Sequence, residues 1–223
     1  MKVAIVGYGK MGRMIEALAP EYGLQVHARV DVNDDMKAAQ GADVAIEFST
    51  PEAAVGNVEK LAALGVPVVV GTTGWLAEME RVRAAVEAGG IGLVWSPNFS
   101  IGVNVFSRLV REAAKLLVEE AQYGAWAWEI HHSTKKDAPS GTLIKLVNEM
   151  KSAGYERNID VSSNRTGAHP GTHEVGFDSA ADTITLRHSA RSREGFARGA
   201  LKAAQWIPGK KGVFEFSDVL FSR

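Results

Sequence analysis

The residues with the richest chemistry lie in one fourteen-residue run, Glu129-Ile130-His131-His132-Ser133-Thr134-Lys135-Lys136-Asp137-Ala138-Pro139-Ser140-Gly141-Thr142. Histidine titrates near neutral pH and can give or take a proton, and lysine adds a compact positive charge or a second proton. Pro139-Ser140-Gly141-Thr142 reads as a helix start with Ser140 as N-cap, and the backbone N–H groups after it can hold a carboxylate. The combination is proton transfer beside an anion cradle. Plainer roles are expected for part of the run. Side chains alternate along an extended segment, so only one of His131 and His132 should face a core. Lys136 is expected in solvent and Asp137 as a local turn acceptor. Glu129 could equally orient a histidine or form a structural ion pair. His169, His173 and His188 are further site candidates, whereas His27 sits in a strand pattern and is incidental. Arg165, Arg191 and Arg193 are candidate anion contacts whose default place is the surface. No spacing of His, Asp or Glu matches a familiar metal-ligand pattern, so no metal site is expected.

A proton donor of this kind needs a hydride carrier, and the N-terminus offers one. Gly7-Tyr8-Gly9-Lys10-Met11-Gly12 fits G-x-G-x-x-G between a strand pattern and a helix pattern. Gly7 suits the tight turn, Gly9 the approach of a pyrophosphate, and Gly12 close helix–strand packing. Asp31 follows nineteen residues after Gly12, where an acid binds an adenosine ribose. Asp31 favours NADH by repelling a 2′-phosphate, and Lys10 offsets that repulsion enough to keep NADPH in play. Gly71-Thr72-Thr73 and Ser96-Pro97-Asn98-Phe99 follow the next strand patterns and are expected to line the nicotinamide half of the site.

These residues must be positioned by a scaffold, and its elements are readable. Apolar runs at 3–6, 25–30, 43–48, 67–70 and 91–95 alternate with helical patterns at 11–19, from 51 onward and at 76–88. Strands apolar on both faces between helices predict a parallel sheet covered on both sides. After residue 98 the pattern changes to a long helix at 101–118, a strand at 126–131, a helix at 142–153, strands at 174–177 and 183–188, a helix at 194–206 and a short strand at 213–216. Residues 154–171 are polar and weakly patterned and read as a mobile loop, a candidate lid. The expected fold class is therefore α/β, a Rossmann-like parallel-sheet domain (1–99 and 193–223) with an α+β substrate and oligomerisation domain carrying a mixed sheet (100–192). Substrate is expected between them. A net charge of −1 gives no reason to expect nucleic acid or an anionic membrane as partner, the absence of cysteine removes disulfides and thiolate chemistry, and no apolar run approaches membrane-spanning length. A cytoplasmic protein is the simplest expectation.

With both halves in view, the chain resembles the 4-hydroxy-tetrahydrodipicolinate reductase family, also called dihydrodipicolinate reductase. That family carries E-x-H-H-x-x-K-x-D-x-P-S-G-T, and residues 129–142 match every fixed position. The likeness extends to the glycine loop, Gly71-Thr72-Thr73, Asn98-Phe99-Ser100, Gly102-Val103-Asn104, Pro170-Gly171-Thr172-His173 and Gly199-Ala200-Leu201. It departs at Lys10, where many members have Arg, and the chain is short for the family. The resemblance implies reduction of a cyclic dicarboxylate with NADH or NADPH in the diaminopimelate route to lysine. It implies His131 as proton donor and Lys135 as second proton-transfer residue. His132 would contact substrate, with Ser140, Gly141 and Thr142 forming the carboxylate cradle. It also implies a homotetramer built through the substrate-domain sheet, for which Trp126 and Trp128 on one strand face are the only sequence hint. Two rivals fit parts of the pattern. A related amino-acid or imine dehydrogenase would share the glycine loop and Asp31 without needing the His-His-x-x-Lys run, and a non-catalytic NAD-binding sensor would need neither proton donor.

Overall fold

The computed structural model describes residues 1–222. The chain divides into two compact units, Met1–Ile101 joined by the segment from Glu194 onward, and Gly102–Arg193. The first unit begins with β1 (Lys2–Val6), α1 (Lys10–Leu18), β2 (Gln25–Val30), β3 (Val44–Glu47), α2 (Pro51–Ala63), β4 (Val68–Val70), α3 (Met79–Gly89) and β5 (Gly92–Trp95). The second carries most of α4 (Ile101–Leu116), then β6 (Gly124–His131), α5 (Gly141–Ser152), β7 (Ile159–Arg165), β8 (Thr172–Asp178) and β9 (Thr183–Ser189). The last segment adds α6 (Glu194–Trp206), β10 (Gly212–Glu215) and α7 (Phe216–Phe221) to the first unit.

In the first unit six parallel strands run in the order β10-β5-β4-β3-β1-β2. β3 and β4 are buried at every position, as strands covered on both faces must be. One face packs Ala4, Val6, Val68 and Leu93 with Val55, Val58 and Leu61 of α2 and Val82 and Val86 of α3. The other packs Val3, Ile5, Val69 and Val94 with Ile15 of α1 and the small residues Ala197, Ala200 and Ala204 of α6. The carboxyl ends of all six strands therefore point the same way, and the loops that follow them form one edge.

The second unit is a mixed four-stranded sheet in the order β7-β6-β8-β9, with β6 and β7 parallel and the other pairs antiparallel. Its inner face, Ala125, Ala127, Val175 and Phe177, packs against Phe106 and Val110 of α4 and Leu143, Leu146 and Met150 of α5. Burial along β6 alternates strictly, so the strand presents one buried and one half-buried face.

One expectation fails here. Residues 154–171 are not a loop, because β7 lies inside them and pairs along its whole length with β6. β7 is an edge strand with mostly polar side chains, so it lacks the apolar alternation by which strands are recognised. The terminal helix α7 was also not expected, being one and a half turns long. Among the described residues no helix is long and apolar enough to cross a membrane.

Candidate active site

The period of β6 places Glu129 and His131 on its inner, buried face and Ile130 on the other. Neighbouring strands complete the cluster. In the antiparallel register His173 of β8 stands opposite Glu129, and in the parallel register Ser163 and Arg165 of β7 stand beside Glu129 and His131. Ser140 joins from the N-cap of α5, where its hydroxyl accepts the Leu143 N–H at 3.2 Å.

Glu129 is fully buried and is the hub of the group. Its Oε1 accepts from the Ser140 backbone N–H at 2.8 Å, the Ser163 hydroxyl at 2.9 Å and the Arg165 guanidinium at 2.8 Å. Its Oε2 accepts from the Ser140 hydroxyl. Burial alone would raise the carboxyl, but the donors from Ser140, Arg165 and Ser163 outweigh it and hold Glu129 at about 2. Oε2 also lies 3.4 Å from His131 Nδ1 and 3.3 Å from His173 Nε2. The imidazoles are edge-on, with centroids 5.0 Å apart. Burial, with Lys135, Arg165 and His132 nearby, pushes His131 below its ordinary value against the pull of Glu129. Burial and then His131 lower His173 further, to about 4.

Over the other imidazole nitrogen, the chain needs glycine. Gly171 has φ +139°, and a Cβ there would sit 2.9 Å from His131 Nε2. Beyond β6 the backbone turns tightly, with Lys135 N–H donating to the His132 carbonyl at 3.1 Å. His132 Nδ1 lies 2.7 Å from Thr134 Oγ1. Lys135 Nζ donates to Asp137 Oδ1 at 2.7 Å, and this contact chiefly holds the Asp137 carboxyl below its ordinary value. Gly141 and Thr142 form the first turn of α5, with Gly141 exposed. His131, Ser140 and Lys135 thus belong to one locality, with His132 on the rim.

The other histidines have ordinary partners. His169 Nδ1 accepts the Gly171 N–H, His188 stacks on Phe106, and His27 meets the Gln40 carbonyl. Arg191 and Arg193 are exposed, as expected of them. Arg165 is not on the surface; its side chain is 16% exposed and paired with Glu129. Ser163 was not singled out in the sequence, and the pairing of Arg165 and His173 with Glu129 could not be read there because it depends on strand register.

In the first unit a cleft of about 490 Å³ opens at the carboxyl ends of β1, β2 and β3, lined by Gly7, Gly9, Asp31 and Asp34 on one side and Thr50, Asn57 and Lys60 on the other. A neighbouring cleft of about 440 Å³ is lined by Gly9, Lys10, Met11, Gly71, Thr72 and Thr73. The glycines separate by role. Gly7 has φ +86°, and a Cβ on it would meet the Phe48 carbonyl at 2.1 Å; one on Gly12 would meet the Gly7 carbonyl at 2.3 Å. At Gly9, the N-cap of α1, a Cβ would meet nothing within 4 Å, and no side chain caps the helix. Packing does not require glycine there, so the space it leaves, in front of uncapped N–H groups, fits a pyrophosphate. The residues present therefore fit a dinucleotide. Tyr8 turns away from the clefts, bonding Glu16 beneath Arg13 and Arg29. Ser96, Pro97, Asn98 and Phe99 line neither cleft. Ser96 Oγ and the Asn98 backbone lock a turn, and Phe99 is buried 4.8 Å from Phe216.

Comparison with known proteins identifies the family. Residues 1–99 match the family model described as dihydrodipicolinate reductase, N-terminus, and residues 102–220 match that of the C-terminus. The 4-hydroxy-tetrahydrodipicolinate reductase of Christiangramia forsetii is 36% identical over 99% of this chain and 98% of its own. That of Archaeoglobus fulgidus is 37% identical over 99% of this chain and 100% of its own. Among solved structures, the dipicolinate-bound dihydrodipicolinate reductase of Paenisporosarcina sp. TG-14 superposes with a TM-score of 0.81, at 21% identity, over 96% of this chain and 97% of that one. An amine dehydrogenase from Mycobacterium smegmatis shares the fold with a TM-score of 0.65 and 9% identity, over 98% of this chain and 95% of that one. With both family models matched across almost its whole length, the chain belongs to the dihydrodipicolinate reductase family, NAD(P)H-dependent oxidoreductases of lysine and diaminopimelate biosynthesis.

Proposed function

We propose that this chain reduces 4-hydroxy-tetrahydrodipicolinate to tetrahydrodipicolinate, with loss of water, and that His131 donates the proton. The observation that carries the assignment of His131 is its burial against an ionised carboxylate: Nδ1 sits 3.4 Å from Glu129 Oε2, and glycine at 171 spares Nε2 a side-chain contact at 2.9 Å. An imidazolium formed there is stabilised by Glu129 and can release its proton from Nε2. The dinucleotide, when bound, supplies the hydride. Lys135 serves as the second proton-transfer residue and offsets negative charge as it develops on the substrate.

The substrate is a cyclic dicarboxylate, the class to which the dipicolinate of the solved relative belongs. One carboxylate is held by the N–H groups of Gly141 and Thr142 behind the Ser140 cap, and the other by Lys135 and His132. A carboxylate reaching Lys135 takes the place of Asp137, which pairs with it at 2.7 Å. We further place the enzyme in the cytoplasm, as a homotetramer joined through the outer face of the second unit's sheet.

Oxidation of NADH and NADPH, coupled to the synthase that makes the unstable substrate, tests the proposal. His131→Gln is expected to lower kcat by about 100-fold or more with little change in cofactor affinity. An unchanged kcat would remove the proton-donor role, and no oxidation of either cofactor by the folded wild-type protein would remove the activity.

A further inference from the structure

Glu129, His131 and His173 have a second property that proton transfer does not use. One possible ligand atom from each of the three lies within 4.8 Å of those of the other two, and all three residues are buried. The two oxygen-to-nitrogen separations are 3.4 and 3.3 Å. Around a zinc ion with Zn–N of about 2.0–2.1 Å and Zn–O of about 2.0–2.2 Å, tetrahedral ligands stand about 3.3–3.5 Å apart. His131 Nδ1 is buried and makes no hydrogen bond, and His173 Nε2 lies 3.2 Å from the Ser140 hydroxyl. The carboxylate is divided in a way that suits a ligand. The Ser140 N–H, Ser163 and Arg165 hold Oε1, which fixes the group and leaves Oε2 to the imidazoles and the Ser140 hydroxyl.

We infer that Glu129, His131 and His173 form a binding site for a divalent transition-metal ion of the zinc class. Two imidazole nitrogens and one carboxylate oxygen are a donor set for zinc or cobalt rather than for magnesium or calcium. Three protein ligands leave the fourth tetrahedral position to solvent or an anion. Arg165, on the far oxygen, repels a cation, so binding is weaker than at a structural zinc site and reversible by chelators. The ion takes Nδ1 of His131, and loss of turnover on loading follows only if His131 is the proton donor; the site itself does not rest on that reading.

The test is titration of the full-length protein with Co²⁺, followed by its visible bands and by competition with Zn²⁺. One ion per chain is expected, with the intense absorption of a tetrahedral site. His173→Gln and His131→Gln should each weaken binding by about tenfold or more, while His27→Gln, on the exposed side of β2, should not. Circular dichroism establishes that each variant is folded; if one is not, the other decides. No bound ion, or unaltered affinity in either folded variant, overturns the site.

Discussion

Glu129 is fully buried and takes four hydrogen bonds from three residues, and the acid stability of the protein should depend on it. Its carboxyl is held at about 2 against an ordinary value of 4.5, and His173 at about 4 against 6.5. Both folded values are depressed, so as the pH falls the unfolded chain takes up each proton first. Stability is complete above about 6.5, falls between 6.5 and 4 as His173 resists protonation, and falls again between 4.5 and 2 at Glu129. Each effect amounts to roughly 3 kcal/mol when fully expressed. Urea midpoints measured from pH 7 to pH 3 should therefore decline well before ordinary carboxylates titrate, and a flat profile between pH 7 and pH 4.5 would contradict this account. Much at this scale was legible. Alternation along an extended segment separates His131 from His132, and Pro-Ser-Gly marks Ser140 as a cap. The role of Glu129 stayed open because its partners come from two other strands, and Arg165 was misjudged because nothing in its neighbourhood shows that a buried carboxylate lies beside it.

At the scale of elements, we propose that the turn after β2 sets cofactor choice. Asp34 Oδ2 accepts the Asp31 N–H at 2.8 Å, and Asp31 Oδ1 accepts the Val32 N–H at 3.0 Å, so two carboxylates are fixed at the cleft. A 2′-phosphate entering there meets both, with Lys60 across the cleft and Lys10 in the adjoining one as compensation. At about 4 Å in water a unit-charge repulsion is worth about 1 kcal/mol. Asp31→Ala should then raise kcat/KM for NADPH relative to NADH by about fivefold to tenfold, with Asp34 limiting the change. Initial rates with each cofactor decide it, and a ratio unmoved or moved toward NADH would show that Asp31 does not face the ribose. The elements of this unit were read correctly because buried parallel strands are continuous apolar runs between helices. β7 was missed for the opposite reason: at a sheet edge its Asp160, Ser162 and Asn164 lie on an uncovered face, and only two of its seven residues, Ile159 and Val161, are apolar.

At the scale of the whole molecule, we propose that copies associate through the outer face of the second unit's sheet. The register places Trp126, Trp128 and Ile130 of β6 on that face with Glu174 of β8 and Arg187 of β9, which pair at 3.3 Å. None of these apolar residues belongs to the unit's core. The distribution of size is the reverse of a simple expectation, with alanines inside and tryptophans outside. Large side chains from the helices and from β8, such as Leu143, Leu146 and Phe177, already fill the inner space, so β6 contributes only Ala125 and Ala127. This is why the sequence could not tell the tryptophan pair from core packing, since the alanines and tryptophans make both faces apolar over residues 125–128. The tryptophans are also held rigidly: Trp126 lies against Gly176, where a Cβ would come within 2.2 Å of the ring, and Trp128 Nε1 donates to Asn164 at 2.6 Å. Rigid aromatic rings at the centre of a flat sheet are the kind of residues that dominate binding energy at interfaces. Sedimentation velocity should give four copies of the 23.9 kDa chain for the native protein. Trp128→Glu should shift it to smaller species at micromolar concentration while circular dichroism stays unchanged, because a charge is tolerated on an open sheet face but not between two of them. A variant that sediments like the native protein would place the contacts on another surface.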